Sequence, residues 1–240
     1  MGAAWTTVLV AALATLVGAS VQGSIGFGMN LVVVPVLALV IPDALPATAV
    51  LLGIPLSIAM TRHERHAVDR PGLVWITAGR VPGTVIGTLI VASVSIDVLK
   101  GFIGVFVLLS VAISALAPPI PLRPSTQFAG GLESGVTGTA AGIGGPPLAI
   151  LYQHHPGPTM RATLAASFLI GTFLSLAALG IAGEVRGADI VLALVLIPVV
   201  LLGARIGRLA HNVLDRAWLR PAVLTFAAIS AAVVLLDAMF

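Results

Sequence analysis

The 240-residue chain has no cysteine, one tyrosine and only 9% charged residues. Without cysteine there is no disulfide, thiolate nucleophile, iron–sulfur cluster or cysteine zinc site to build, and redox compartment leaves no mark on the sequence. The scarcity of charge excludes more. A soluble domain carries roughly 25% charged residues, so this chain lacks the material for a water-facing surface. What it has instead is 58% hydrophobic residues and a mean hydropathy of +1.13, the composition of an integral membrane protein. At about 20 apolar residues per span there is room for roughly eight passes and almost none for an attached globular enzyme. The net charge of +3 comes from dispersed arginines rather than a basic patch interleaved with aromatics, so nucleic acid is not an expected partner. The run from Trp5 to Ser20 has the look of a signal-peptide core, and Gly2 with Thr6 fits the bare myristoylation pattern. No charged stretch precedes that run and further apolar segments follow it, which discounts both.

Long apolar stretches bounded by charge or proline form eight segments, A to H, at 3–41, 44–61, 72–94, 98–117, 126–152, 161–182, 188–209 and 217–239. Segment A is nearly twice a span in length, and E is short, polar and rich in glycine. Each is interrupted midway by glycine and proline. Irregular backbone survives at membrane depth only where it is shielded from lipid, so each segment either crosses once or turns back as a hairpin inside the protein. Loop charge separates these readings. Single crossings by A and E would divide the loop cations 5 against 6. Hairpins place Arg62, Arg65, Arg70, Arg123, Arg161, Arg205, Arg208, Arg216 and Arg220 on one side and leave only Lys100 and Arg186 on the other. The second distribution obeys the positive-inside rule. It makes A and E hairpins, puts the Arg62–Arg70 loop in the cytoplasm and leaves both termini outside.

The halves of the chain resemble each other. A shift of 112 places Gly23 on Gly135, Gly26 on Gly138 and Pro35 on Pro147; a shift of 115 places Ala47-Thr48 on Ala162-Thr163; a shift of 120 aligns Gly83 and Gly87 with Gly203 and Gly207. A hairpin plus three crossings is an odd number, so the second half is upside down relative to the first. The expected fold is an all-α polytopic membrane protein of two inverted repeats, 1–118 and 126–240, each a broken glycine-rich helical hairpin followed by three transmembrane helices. Secondary transporters use such repeats to build a midplane site that opens alternately to the two sides.

The two hairpins carry the most distinctive sequences, Gln22-Gly23-Ser24-Ile25-Gly26-Phe27-Gly28-Met29-Asn30 and the run from Glu133 to Pro147. Glycine at this density lets backbone bend and exposes amide N–H groups, so helices broken here present positive dipole ends, and two such ends meeting would cradle an anion. The candidate binding residues are Gln22, Gly23, Ser24, Gly26, Gly28 and Asn30 in the first hairpin and Ser134, Gly135, Thr137, Gly138, Thr139 and Gly144 in the second. For Gly79, Gly83, Gly87, Gly203 and Gly207 the expected role is close helix packing.

With Gly23-Ser24-Ile25-Gly26-Phe27-Gly28 followed by Pro35, and Gly135-Val136-Thr137-Gly138 followed by Gly142-Ile143-Gly144-Gly145-Pro146-Pro147, the chain resembles the sulfite exporter TauE/SafE family, also called the 4-toluene sulfonate uptake permease family. The resemblance runs over essentially the whole chain. It implies transport of small sulfur-containing oxyanions or organosulfonates, such as sulfite or sulfoacetate, across a bacterial inner membrane, with the two glycine-rich hairpins forming the site. Asn30 departs from the small residues usual at that place in similar proteins.

Glu133 and Arg80 are the ionisable residues that lie well within the predicted segments. Glu133 is a candidate for proton coupling, because an intramembrane carboxylate is costly and usually functional, although a hairpin mouth also admits water. Arg80, about 13 Å into segment C at 1.5 Å per residue, is a candidate for attracting an anion, but its long stem favours snorkelling toward the cytoplasmic surface. His154-His155 do not share a helix face and lack further ligands at metal spacing, so neither a metal site nor a cofactor is expected. His63, Glu64 and His66 read as a solvated loop. No nucleophile–base pair is legible. The leading function is therefore a secondary transporter of a small anion, driven by a gradient and accepting a proton as possible coupling partner. A passive anion channel is the alternative, and an intramembrane enzyme or assembly partner ranks below both.

Overall fold

The computed structural model describes residues 2–116, 120–210 and 216–239, and the side chains of all of these except 2–4, 63, 114–116, 210, 216–221 and 223. Segment A becomes α1 (Gly2–Ile25) and α2 (Met29–Val40); B to D become α3 (Ala47–Glu64), α4 (Arg70–Ser93) and α5 (Ile96–Leu116). Segment E becomes α6 (Pro124–Ala140) and α7 (Gly145–Tyr152); F to H become α8 (Gly157–Ile181), α9 (Gly187–Ala210) and α10 (Arg216–Asp237). Among the described residues five stretches are long and apolar enough to span a membrane: Trp5–Ile25, Arg70–Ser93, Ile96–Ile113, Gly157–Ile181 and Gly187–Leu209. The apolar parts of α3 and α10, Ala47–Arg62 and Leu224–Asp237, are shorter.

Both interrupted segments are hairpins. The first breaks where Gly26 and Gly28 take φ of 102° and 114°, a region L side chains rarely enter. Gln22 Oε1 then accepts from the Met29 N–H at 3.1 Å, satisfying one of the orphan donors that opens α2. α2 runs back along α1, for a Cβ on Gly18 would lie 2.6 Å from the Met29 carbonyl oxygen and Ala14 packs on Val32. The second hairpin breaks at Gly142, with φ 72°. α7 restarts with Pro146 and Pro147 in its first turn, where a missing N–H costs nothing. It returns along α6 with Leu148 and Leu151 over Gly130.

Each hairpin is shielded by a glycine seam on a helix from the other half. Cβ atoms added at Gly79, Gly83 and Gly87 of α4 would run into the backbone oxygens of Phe128, Leu132 and Val136 on α6. At Gly203 and Gly207 of α9 they would meet those of Leu16 and Ser20 on α1. These glycines pack helices, as their spacing suggests. The other packing pairs follow the same exchange of halves: α3 meets α9 as α8 meets α4, α2 meets α10 as α7 meets α5, and α3 lies on α8. Large apolar side chains such as Val81, Val85, Leu89, Val191, Leu194 and Leu202 stay exposed on α4 and α9, the lipid-facing belt of a multi-pass membrane protein.

The ion pairs divide between the two ends of the bundle. At one end of α3 Glu64 pairs with Arg161, and Asp69 caps α4 through the Gly72 N–H at 3.1 Å while accepting from the Tyr152 hydroxyl at 2.7 Å. Arg205 and Arg208 line a groove with that Glu64–Arg161 pair. At the other end of α3 Thr48 meets Asp189, itself paired with Arg186 at 3.0 Å, and Lys100 pairs with Asp237 at 2.9 Å. The side chains of Arg216 and Arg220, and the terminal residues Met1 and Phe240, lie outside the described residues. In the cysteine-free chain, single cysteines at Arg62 and Arg208 should both be labelled by an impermeant maleimide from one face of the membrane, and one at Arg186 only from the other. Labelling of the first two from opposite faces would refute the hairpin arrangement.

Candidate anion site between the hairpin breaks

The two breaks meet. Asn30, the second residue of α2, donates through Nδ2 to the Gly142 carbonyl at 2.6 Å and to the Ala49 carbonyl at 3.2 Å. Beside this clamp lies a cavity of about 60 Å³. At 10–15 Å³ per water it holds roughly four to six water-sized positions, enough for a small oxyanion. Gln22, Gly28 and Asn30 line it from the first hairpin and Gly138, Gly142 and Gly144 from the second. Gly53 and Ser57 face it from α3, Arg80 from α4, and Phe168, Thr172 and Ser175 from α8.

Arg80 does not snorkel. It is 3% exposed and turns into the bundle, because Gly171 on α8 leaves a slot that its guanidinium fills; a Cβ at 171 would coincide with the guanidinium, and one at Gly138 would come within 3.1 Å of it. Its hydrogen-bond partner is the Ser167 hydroxyl, at 3.4 Å. Among the described residues it has no acidic partner, and no carboxylate lines the cavity. A buried charge without a counter-ion is among the most expensive features a protein carries. Three buried polar atoms of lining residues also lack partners: Arg80 Nε, Ser57 Oγ and Asn30 Oδ1. Buried polar groups in folded proteins are nearly always satisfied, so this cluster marks a place where a polar ligand or water belongs.

Of the residues picked from sequence, Gln22, Gly28, Asn30, Gly138, Gly144 and Arg80 come together here. The others make their contacts outside the cavity lining. Gly23 presses on Ala204 of α9 and Gly135 on Gly83 of α4. The Ser24 hydroxyl donates to the carbonyls of Ser20 and Gly207, Ser134 to that of Gly144 and Thr137 to that of Glu133. Thr139 exchanges a hydrogen bond with Ser175, one residue behind the cavity wall. Gly26 lies against Arg161, whose Cγ would be 2.8 Å from an added Cβ. Glu133 is exposed on the opposite face of α6, where it lines a separate groove of about 200 Å³ with residues of α5 and α7. Sequence reasoning missed the contribution of α3 and α8, whose Ser57, Thr172 and Ser175 sit in apolar runs that carry no distinguishing pattern.

The expected amide cradle is thinner than two helix ends would provide, since Pro146 and Pro147 remove two donors from the first turn of α7. The guanidinium carries the positive potential instead. A second, larger groove of about 530 Å³ approaches from the Arg62–Arg70 end, lined by Gly23, Glu64, Arg161, Arg205 and Arg208. Glu64 is thus not a solvated loop residue but half-buried and paired with Arg161. That pair and the Gly26–Gly28 break lie between the groove and the cavity.

Hydrophobic helices, two interrupted hairpins and a shielded polar cavity between them define a multi-pass membrane protein. A protein-family model described as Sulfite exporter TauE/SafE matches residues 10–234. The chain belongs to that family, which consists of membrane transporters of sulfite and related sulfur anions. No curated protein and no solved structure matches it.

The slot at Gly171 supplies a local test. Gly171→Ala should displace the Arg80 guanidinium and weaken sulfite binding about tenfold, roughly one charge-assisted hydrogen bond. Gly180→Ala on the same helix, where an added Cβ meets nothing within 4 Å, should leave affinity unchanged. Binding to purified protein by isothermal titration checks both.

Proposed function

We propose that the protein is a secondary transporter of small sulfur oxyanions of the sulfite class, which bind at the junction of the two hairpin breaks with Arg80 as counter-charge. The observation that carries this reading is the buried Arg80 beside a small polar cavity, with no acidic partner among the described residues. A compact anion supplies the missing charge and the acceptors for Arg80 Nε and Ser57 Oγ. The cavity favours the small end of the class, since sulfite fills about four of its roughly four to six water-sized positions.

The exchange of packing partners between the halves supports an inverted repeat, and Asn30 touches Gly142, its equivalent under the 112-residue shift, as residues on a pseudo-two-fold axis do. Alternating access then moves the hairpins and their glycine seams about the α3–α8 crossing. By the positive-inside rule the end holding Arg62, Arg161 and Arg208 is cytoplasmic in a bacterial inner membrane, and the groove lined by three arginines there gathers anions. Glu133 faces another groove and takes no part in this site.

Proteoliposomes test the reading. Sulfite should be taken up saturably and accumulate against its own gradient, which a passive channel does not do. Arg80→Gln should lower flux about 100-fold, near 3 kcal/mol for one broken buried charge contact. Arg80→Lys, which keeps the charge but not the planar fork, should fall less. Unaltered flux in Arg80→Gln, with the protein inserted, would refute the site. Glu133→Gln should leave the dependence on a pH gradient as in the parent protein; loss of that dependence would return Glu133 to the coupling path.

A further inference from the structure

The cavity holds an acceptor that an anion does not satisfy. Asn30 Nδ2 is committed to two backbone carbonyls, those of Gly142 and Ala49. This fixes the amide's orientation, since the reverse would set oxygen against oxygen. Asn30 Oδ1 is therefore the atom left over, buried and without a partner. A bare oxyanion offers it only repulsion. A ligand with its own O–H or N–H satisfies it.

The charge inventory leads to the same ligand. Arg80 is the charged side chain that lines the cavity. α1 and α2 carry no ionisable side chain. On α3 and α8 the nearest charges, Glu64 and Arg161, neutralise each other beyond the first break. On α6 Glu133 faces the outer groove, and Asp69, at the start of α4, is held by the hydroxyl of Tyr152 and the amide of Gln127. Asp189 on α9 is matched by Arg186. One net positive charge balances a monoanion; a dianion would leave one buried negative charge unmatched, at a cost larger than any hydrogen bond returns.

Resting on the anion site proposed above, we infer that the carried species is a monoanion bearing a hydrogen-bond donor, with Asn30 as the specificity residue that accepts from it. In the sulfite system this is hydrogen sulfite, not the dianion. Its oxygens face Arg80 Nε and Ser57 Oγ, and its O–H faces Asn30 Oδ1. The proton then crosses the membrane on the substrate, and no carboxylate of the protein needs to carry it.

Methanesulfinate separates the terms, because it has the size, pyramidal shape and single charge of hydrogen sulfite with a methyl group in place of the hydroxyl. Titrated into purified protein at a pH where hydrogen sulfite predominates, methanesulfinate should bind at least tenfold more weakly. In Asn30→Ala the two should bind within threefold of each other. Because Asn30 also clamps the hairpins, a second measurement uses the unaltered protein. Apparent sulfite affinity should fall in proportion to the hydrogen sulfite fraction as pH rises through the second dissociation of the acid, while methanesulfinate affinity stays constant. Equal affinity for the two anions, or sulfite affinity independent of that fraction, overturns the inference while leaving the anion site intact. Failure of both anions to bind overturns the site and the inference together.

Discussion

An interrupted helix inside a membrane must hide the backbone groups that the interruption frees. This fold meets that demand twice, by laying each broken hairpin against a helix whose glycines let the two backbones touch. α6 lies on the seam of Gly79, Gly83 and Gly87 in α4, and α1 lies on that of Gly203 and Gly207 in α9. The site follows from these seams. Arg80 immediately follows the first glycine of the α4 seam, so the contact that shields the second hairpin also sets the depth of the charge. The breaks face each other across Asn30 because each hairpin is pinned from behind.

The two halves share an architecture but not a charge. Under the shift that aligns Gly83 with Gly203, the position of Arg80 is taken by Val200, which is fully buried in apolar core. Likewise Asn30 corresponds to Gly142, so the amide from one half reaches the carbonyl of the other. On the proposed reading, two similar halves hold an asymmetric ligand shell: guanidinium and hydroxyls from one direction, an amide acceptor from another. Such a shell can orient a ligand whose oxygens are not all alike.

Much of this frame was legible in the sequence. Segment limits, the hairpin nature of A and E and the packing role of the seam glycines follow from hydropathy, loop charge and spacing. The site was legible only in part, for identifiable reasons. Ser134 and Thr137 sit among glycines as binding hydroxyls would, yet Thr137 bonds back to the Glu133 carbonyl one turn earlier in its own helix, and Ser134 reaches across the break to the Gly144 carbonyl. The depth of Arg80 was readable, but its direction depends on Gly171, a helix from the other half. Glu64 looked solvated because its partner Arg161 lies 97 positions away. Ser57 and Thr172 show no pattern until α3 and α8 cross.

The exchanged packing has a consequence for biosynthesis. α1 finds its seam only when the glycines of α9 have been made, about 190 residues after the residues they cover, an interval on the order of 10–40 s at 5–20 residues per second. Through that interval the first hairpin has only α3 and α5 of its own half to pack against, and the glycine seam that covers α1 is still missing. The first hairpin thus reaches its final packing only after α9, in the last third of the chain, has entered the bilayer.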